Sequence, residues 1–103
     1  MFLVSVMYPH KDGAKFDMDY YRKTHMKMVR EAMKPFGLVK TAVEKGLPTG
    51  SGKPSPYVCI GLLYFDRRDG YEKSIEAHGT KLRADLANYT DITPVRQVSE
   101  LFE

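Results

Sequence analysis

The chain has 103 residues, 43% of them hydrophobic and 28% charged, with 16 Lys and Arg against 13 Asp and Glu. These values predict one compact domain over residues 1–103, and a net charge of +3 is too small to indicate a nucleic-acid-binding protein. A single cysteine, Cys59, excludes a disulfide framework and a Cys-ligated cluster, and it fits the reducing cytoplasm.

The first half of the chain predicts a strand over residues 2–8 and a helix over about 16–34. The apolar start is too short to span a bilayer and lacks the flanks of a signal peptide, so we expect no membrane attachment. Asp17 suits the helix N-cap because its carboxylate can accept backbone N–H bonds, and Phe16 can pack against Tyr21 one turn later.

The second half predicts strands over 38–45, 57–65 and 95–102, with a helical region over about 68–88 that breaks near Gly79. The order β-α-β-β-α-β predicts an α+β, ferredoxin-like fold with a four-stranded antiparallel sheet. In that topology the first and third strands are central. They are also the strands that carry almost no charge.

Both faces of the central strands are apolar, although two helices can cover only one face of a sheet. On the third strand Val58, Ile60, Leu62 and Tyr64 alternate with Tyr57, Cys59, Leu63 and Phe65. Leaving one face in water would forgo about 1.5–3 kcal/mol for each large side chain. We therefore expect a homodimer in which two sheets pack face to face.

His25 is the main candidate for a functional side chain. A helical period places it on the apolar stripe of the first helix, which comprises Met18, Tyr21, His25, Met28, Val29 and Ala32. It can be a neutral core histidine, or an acid–base group with Tyr21 one turn before it. The spacing of the three histidines matches no metal-binding motif, and we expect no metal site.

Four further residues are candidates for substrate contact. Tyr8 and Tyr64 lie near strand ends, Met28 lies on the helix stripe, and His78 precedes Gly79 in the second helical region. Each also has a structural interpretation, as a packing residue or a side chain that reaches water.

Three segments of the sequence resemble the EthD family, which is named for ethyl tert-butyl ether degradation. They are FDMDYYRKTHMKMV (16–29), PYVCIGLLYF (56–65) and NYTDITPVRQVSE (88–100). The resemblance covers nearly the whole chain, in order, and implies the dimeric α+β barrel fold. Tyr21 and His25 match the family's Tyr-x-x-x-His, and His78 matches a later histidine. The chain departs from many members at Lys27 and Ala77, where they carry proline.

The resemblance implies chemistry on a small hydrophobic ligand. The first hypothesis is a cofactor-free enzyme for a hydrophobic or aromatic carbonyl compound, with His25 as the acid–base group and Tyr21 orienting it. The reaction would be an isomerisation, cyclisation or decarboxylation, or that of a cofactor-independent oxidoreductase. The alternative is a non-catalytic accessory protein that binds or carries a hydrophobic metabolite of a degradation pathway.

Overall fold

Four strands form one antiparallel sheet in the computed structural model, which describes residues 1–103. They are β1 (Phe2–Pro9), β2 (Leu38–Lys45), β3 (Tyr57–Phe65) and β4 (Val95–Glu100). Their order in the sheet is β2-β3-β1-β4, so the two apolar strands are central and the charged strands lie at the edges. The predicted α+β, ferredoxin-like class is confirmed.

Two helical regions cover one face of this sheet. The first consists of α1 (Met18–Tyr20), a π-helical turn (Tyr21–His25), α2 (Met26–Met33) and a 3-10 turn (Lys34–Phe36). The second consists of α3 (Gly70–Ala84) and a 3-10 turn (Asp85–Asn88). None of these helices has the length and apolar character needed to cross a membrane.

The start and end of the first helical region follow from local chemistry. The Asp17 carboxylate accepts the backbone N–H of Tyr20 at 3.0 Å, and the rings of Phe16 and Tyr21 pack with centroids 5.3 Å apart. Both contacts confirm the predicted cap. At the other end Gly37 adopts a φ of 99°, a left-handed conformation that glycine accepts without strain and that ends the helix.

The π-helical turn changes which side chains the first helical region buries. The N–H of Met26 bonds the carbonyl of Tyr21, five residues earlier, so this turn holds one residue more than an α-helical turn. Met26 and Met33 are therefore buried beside His25 and Val29. The prediction that Met28 lies on the buried stripe is confirmed only in part: Met28 packs against the core but stays partly exposed, because a regular helical period was assumed across this turn.

The predicted break near Gly79 is wrong, since α3 continues through Gly79 to Ala84. Gly79 is buried, and a Cβ at this position would press on the side chains of Ile75 and Arg83. The glycine therefore reflects close packing on the helix surface. The last strand ends at Glu100, two residues before the predicted end.

The core lies between the helices and the sheet face that they cover. It includes Val4, Cys59, Leu63 and Phe65 from the central strands, together with Val29 and Leu82 from the helices. The Cys59 side chain is 0% exposed, and this burial raises the pKa of its thiol to about 12.

No helix covers the opposite face of the sheet. Leu3 and Met7 of β1, with Ile60, Leu62 and Tyr64 of β3, lie outside the core and are partly exposed. Lys40 places its ammonium group 4.7 Å from the centre of the Tyr64 ring. Val58, predicted on this face, packs against the core instead, because the register between β1 and β3 shifts beside it.

Candidate active site

A cavity of about 150 Å³ lies between the helices and the covered face of the sheet. Its wall is mainly apolar and includes Val6, Met26, Val29, Met33, Leu63 and Leu82. Few polar side chains reach it, and His25 is one of them. An apolar hollow with a small number of polar groups is the usual form of a small-molecule site.

His25 is fixed in this wall by a buried carboxylate. Its side chain comes from the π-helical turn, and its Nδ1 lies 2.9 Å from Oδ2 of Asp85, which follows α3 in the chain. Both residues are at most 7% exposed. The sequence hypothesis gave the orienting role to Tyr21, but the residue hydrogen-bonded to His25 is Asp85, whose carboxylate accepts from Nδ1.

Asp85 is held in turn by two further donors. The hydroxyl of Tyr20 donates to Oδ1 at 2.7 Å, and the side-chain amide of Asn88 donates to the same oxygen at 2.9 Å. Burial by itself would raise the pKa of Asp85, but the hydrogen bonds from Tyr20, Asn88 and His25 outweigh it and hold the pKa below its ordinary value. The carboxyl is therefore ionised at neutral pH.

The protonation state of His25 follows from this partner. Burial lowers the pKa of His25 below its ordinary value, Asp85 opposes that shift, and the charge of Arg96 adds to it. The imidazole is thus neutral at pH 7. Because ionised Asp85 can only accept, the proton of the neutral ring lies on Nδ1 and the lone pair lies on Nε2.

Nε2 of His25 has no hydrogen-bond partner within the chain. No buried side-chain nitrogen or oxygen is left without a partner anywhere in the chain, so Nε2 must keep some accessible surface. His25 lines the cavity. A neutral imidazole with a free lone pair at an accessible cavity wall is a competent proton acceptor.

Aromatic rings enclose the imidazole. The Tyr21 ring lies nearly parallel to it, at an angle of 17° and a centroid distance of 5.6 Å, and Tyr89 packs at 4.8 Å. The hydroxyls of Tyr8 and Tyr89 share a hydrogen bond of 2.7 Å. Burial raises the pKa of all three phenols, so they remain neutral hydrogen-bonding groups.

The structure brings three of the predicted site residues together and places three elsewhere. His25, Tyr21 and Tyr8 all line the cavity. Met28, His78 and Tyr64 do not: Met28 is displaced by the π-helical turn, His78 packs edge-on against Phe36, and Tyr64 lies on the open sheet face.

Sequence reasoning missed Asp85, the partner of His25. The two residues are 60 positions apart, and Asp85 sits among ordinary helix-forming residues with no motif around it. The last segment that resembles the family begins at residue 88, after Asp85, so the resemblance did not include it. No three His, Cys, Asp or Glu side chains of the chain are grouped as metal ligands would be.

The geometry can be set beside known proteins. The model of the EthD domain family matches residues 11–93. An EthD-like protein from Ralstonia eutropha JMP134 is 38% identical, with a TM-score of 0.93, over 99% of this chain and 92% of that one. An ethyl tert-butyl ether degradation (EthD) family protein from Bacillus halodurans C-125 is 16% identical, with a TM-score of 0.74, over 99% of both chains.

A more distant structure shares the fold. A dimeric ferredoxin-like protein from an uncultured marine organism is 14% identical, with a TM-score of 0.56, over 100% of this chain and 96% of that one. No curated protein matches significantly. The family model spans most of the chain, and the Ralstonia structure extends the match to nearly all of it. The chain therefore belongs to the EthD family.

Proposed function

We propose that the protein is an enzyme that moves a proton on a small hydrophobic carbonyl compound, with His25 as the general base and no bound cofactor. The observation that carries this proposal is the free Nε2 of a neutral imidazole, held by ionised Asp85 at the wall of an apolar cavity. A buried histidine with only a packing role would need neither a free lone pair nor an open space beside it.

The proposed step is chemically simple. Nε2 of His25 removes a proton from the carbon next to the carbonyl, and the C–H electrons form an enolate. The imidazolium that results is stabilised by the Asp85 carboxylate on its other nitrogen. Return of the proton to a different atom completes an isomerisation. In a cyclisation the enolate carbon attacks a second carbonyl of the substrate, whose C=O electrons become an alkoxide that takes the proton back from the imidazolium. Tyr21 holds the ring from its face rather than by a hydrogen bond.

Deuterium exchange tests this step without knowledge of the natural substrate. Phenylacetone and a simple γ-lactone are incubated in D₂O with the protein, and loss of the α-proton signal is followed by NMR. We expect wild type to accelerate exchange and His25→Ala to lower the accelerated rate by about 10²–10⁴-fold. His78→Ala is the matched control, since His78 lies outside the cavity, and it should exchange like wild type.

The outcome of the exchange experiment separates the enzyme from a carrier. If wild type binds these compounds but exchanges no proton, the enzyme proposal fails and the non-catalytic binding protein remains. If His25→Ala exchanges as fast as wild type, His25 is not the base.

A compartment such as the cytoplasm, which keeps thiols reduced, is part of the proposal because the only cysteine is free.

The proposed enzyme is a homodimer. The support is the partly exposed apolar face of β1 and β3, which no helix of the chain covers, and the dimeric ferredoxin-like protein that shares the fold. Two such faces packed together would be removed from water and would form a common core. In a two-fold symmetric contact the same face of each subunit forms the interface.

A further inference from the structure

Two arginines stand at the edge of the otherwise apolar cavity. Arg83 extends from α3 and Arg96 from β4, and both line the cavity. Arg96 pairs in register with Val6, itself a cavity residue, which places Arg96 on the covered side of the sheet. Both arginines are exposed, whereas Tyr21 and His25 are buried, so the guanidinium groups border the opening.

Neither guanidinium group is neutralised within the chain. The ion pairs of the chain with an Arg or Lys are Asp19 with Arg22, Asp66 with Arg67, and Asp69 with Lys73. Arg83 and Arg96 take part in none of them, and no Asp or Glu lines the cavity.

The positive charge reaches into the cavity. Arg96 acts to lower the pKa of His25 and of the phenols of Tyr8 and Tyr21, in each case beside larger effects of burial. Burial raises the pKa of Tyr71, a further cavity residue, and Arg96 and Arg83 both oppose that shift. Two cations therefore act on one small space from two elements of the fold.

We infer that the ligand is a small organic acid, whose carboxylate is bound by Arg83 and Arg96 while its apolar body fills the cavity beside His25. The guanidinium fork matches the two oxygens of a carboxylate, and a bond between two charged groups is about twice as strong as a neutral one. A cavity of about 150 Å³ admits a body about the size of a benzene ring. The role of His25 in this inference rests on the proposed function, whereas the binding of a carboxylate by Arg83 and Arg96 can be tested separately.

A pair of ligands of equal shape and different charge tests the inference. Benzoate and benzamide are titrated into ¹⁵N-labelled protein at pH 7, and their dissociation constants are measured from NMR shift changes. We expect benzoate to bind at least about tenfold more tightly, and added salt to remove much of that preference. Arg83→Gln and Arg96→Gln should each weaken benzoate binding about tenfold and leave benzamide binding unchanged.

Arg30→Gln is the matched control, since Arg30 is exposed on α2 and does not line the cavity. Three results would overturn the inference: benzoate and benzamide bind with equal affinity, the Arg83 and Arg96 variants lose affinity for both equally, or neither compound binds. The measurement involves no turnover. If benzoate preference persists while proton exchange is absent, the proposed function fails and the ligand class stands.

Discussion

At the scale of single residues, the neutral imidazole of His25 is the product of two opposing effects. Burial lowers its pKa, and the carboxylate of Asp85 acts against that shift. A base that is neutral near pH 7 and already oriented on one nitrogen needs no reorganisation before it accepts a proton on the other.

Replacement of the carboxylate tests this balance. Asp85→Asn removes the negative charge that favours the imidazolium, so we expect the pKa of His25 to fall below its wild-type value. NMR titration of the imidazole signals measures it, with His10→Gln and His78→Gln variants to assign the other two histidines. An unchanged or higher pKa would contradict the hydrogen bond between His25 and Asp85.

The same residue makes stability depend on pH. Because the pKa of His25 is lower in the folded chain than its ordinary 6.5, only the unfolded chain takes up this proton as the pH falls below that value. Stability from this source is thus complete above 6.5 and decreases below it, whereas the stabilisation from Asp85 is complete above its ordinary 3.8 and is lost only below that pH. We expect urea midpoints, at fixed protein concentration, to fall between pH 7 and 5. His25→Gln should flatten that decrease, and an equal slope in both proteins would exclude His25 as its source.

Sequence reasoning found one half of the pair and could not find the other. His25 stood out because a titratable ring on the apolar face of a helix is unusual. The regular helical period that was assumed still placed His25 on that face. In the sequence Asp85 is an ordinary acidic residue near the end of a helix, and only the packing of the second helical region against the first brings it to 2.9 Å from His25. That contact depends on two distant elements and leaves no local pattern.

At the scale of elements, strands were easier to predict than helices. The bounds 38–45 and 57–65 were predicted correctly because alternation, β-branched side chains and a Gly/Pro-rich connection all act locally. The π-helical turn was missed, because the prediction assumed a regular helical period from Tyr21 to Met26. Its extra residue explains why Met26, and not Met28, is buried.

The first helical region approaches the sheet closely at Gly61 of β3, where a Cβ would overlap the hydroxyl of Tyr21. We expect Gly61→Ala to lower the free energy of unfolding by about 1–3 kcal/mol, because the ring would have to move out of a packed core. Urea denaturation measures the change.

The double variant identifies the contact responsible. In a Tyr21→Phe background the hydroxyl is absent, so Gly61→Ala should destabilise the protein less than it does in wild type. Equal losses in the two backgrounds would show that the added methyl group meets something other than the Tyr21 hydroxyl.

At the scale of the whole molecule, the two faces of the sheet have different roles. The covered face holds the core and the cavity, and the open face presents Leu3, Met7, Ile60 and Leu62. A partly exposed apolar face that no helix covers supports the two-fold assembly that we propose.

One charge on the open face tests the assembly. Leu62→Glu should prevent a dimer because a carboxylate would be buried without a partner, so light scattering should report a single subunit at micromolar concentration. Arg30→Glu, on the exposed side of α2, should remain a dimer like wild type. A wild-type protein that is monomeric at that concentration would contradict the proposed assembly.

The single thiol of the chain lies under the helical layer, and this offers a route to the natural ligand. Cys59 is fully enclosed, so an alkylating reagent can reach its sulfur only when that layer opens. A compound that occupies the cavity stabilises the closed form, so it slows labelling of Cys59 in proportion to its occupancy. Mass spectrometry of labelled protein can therefore rank whole libraries of metabolites, before any reaction has been identified.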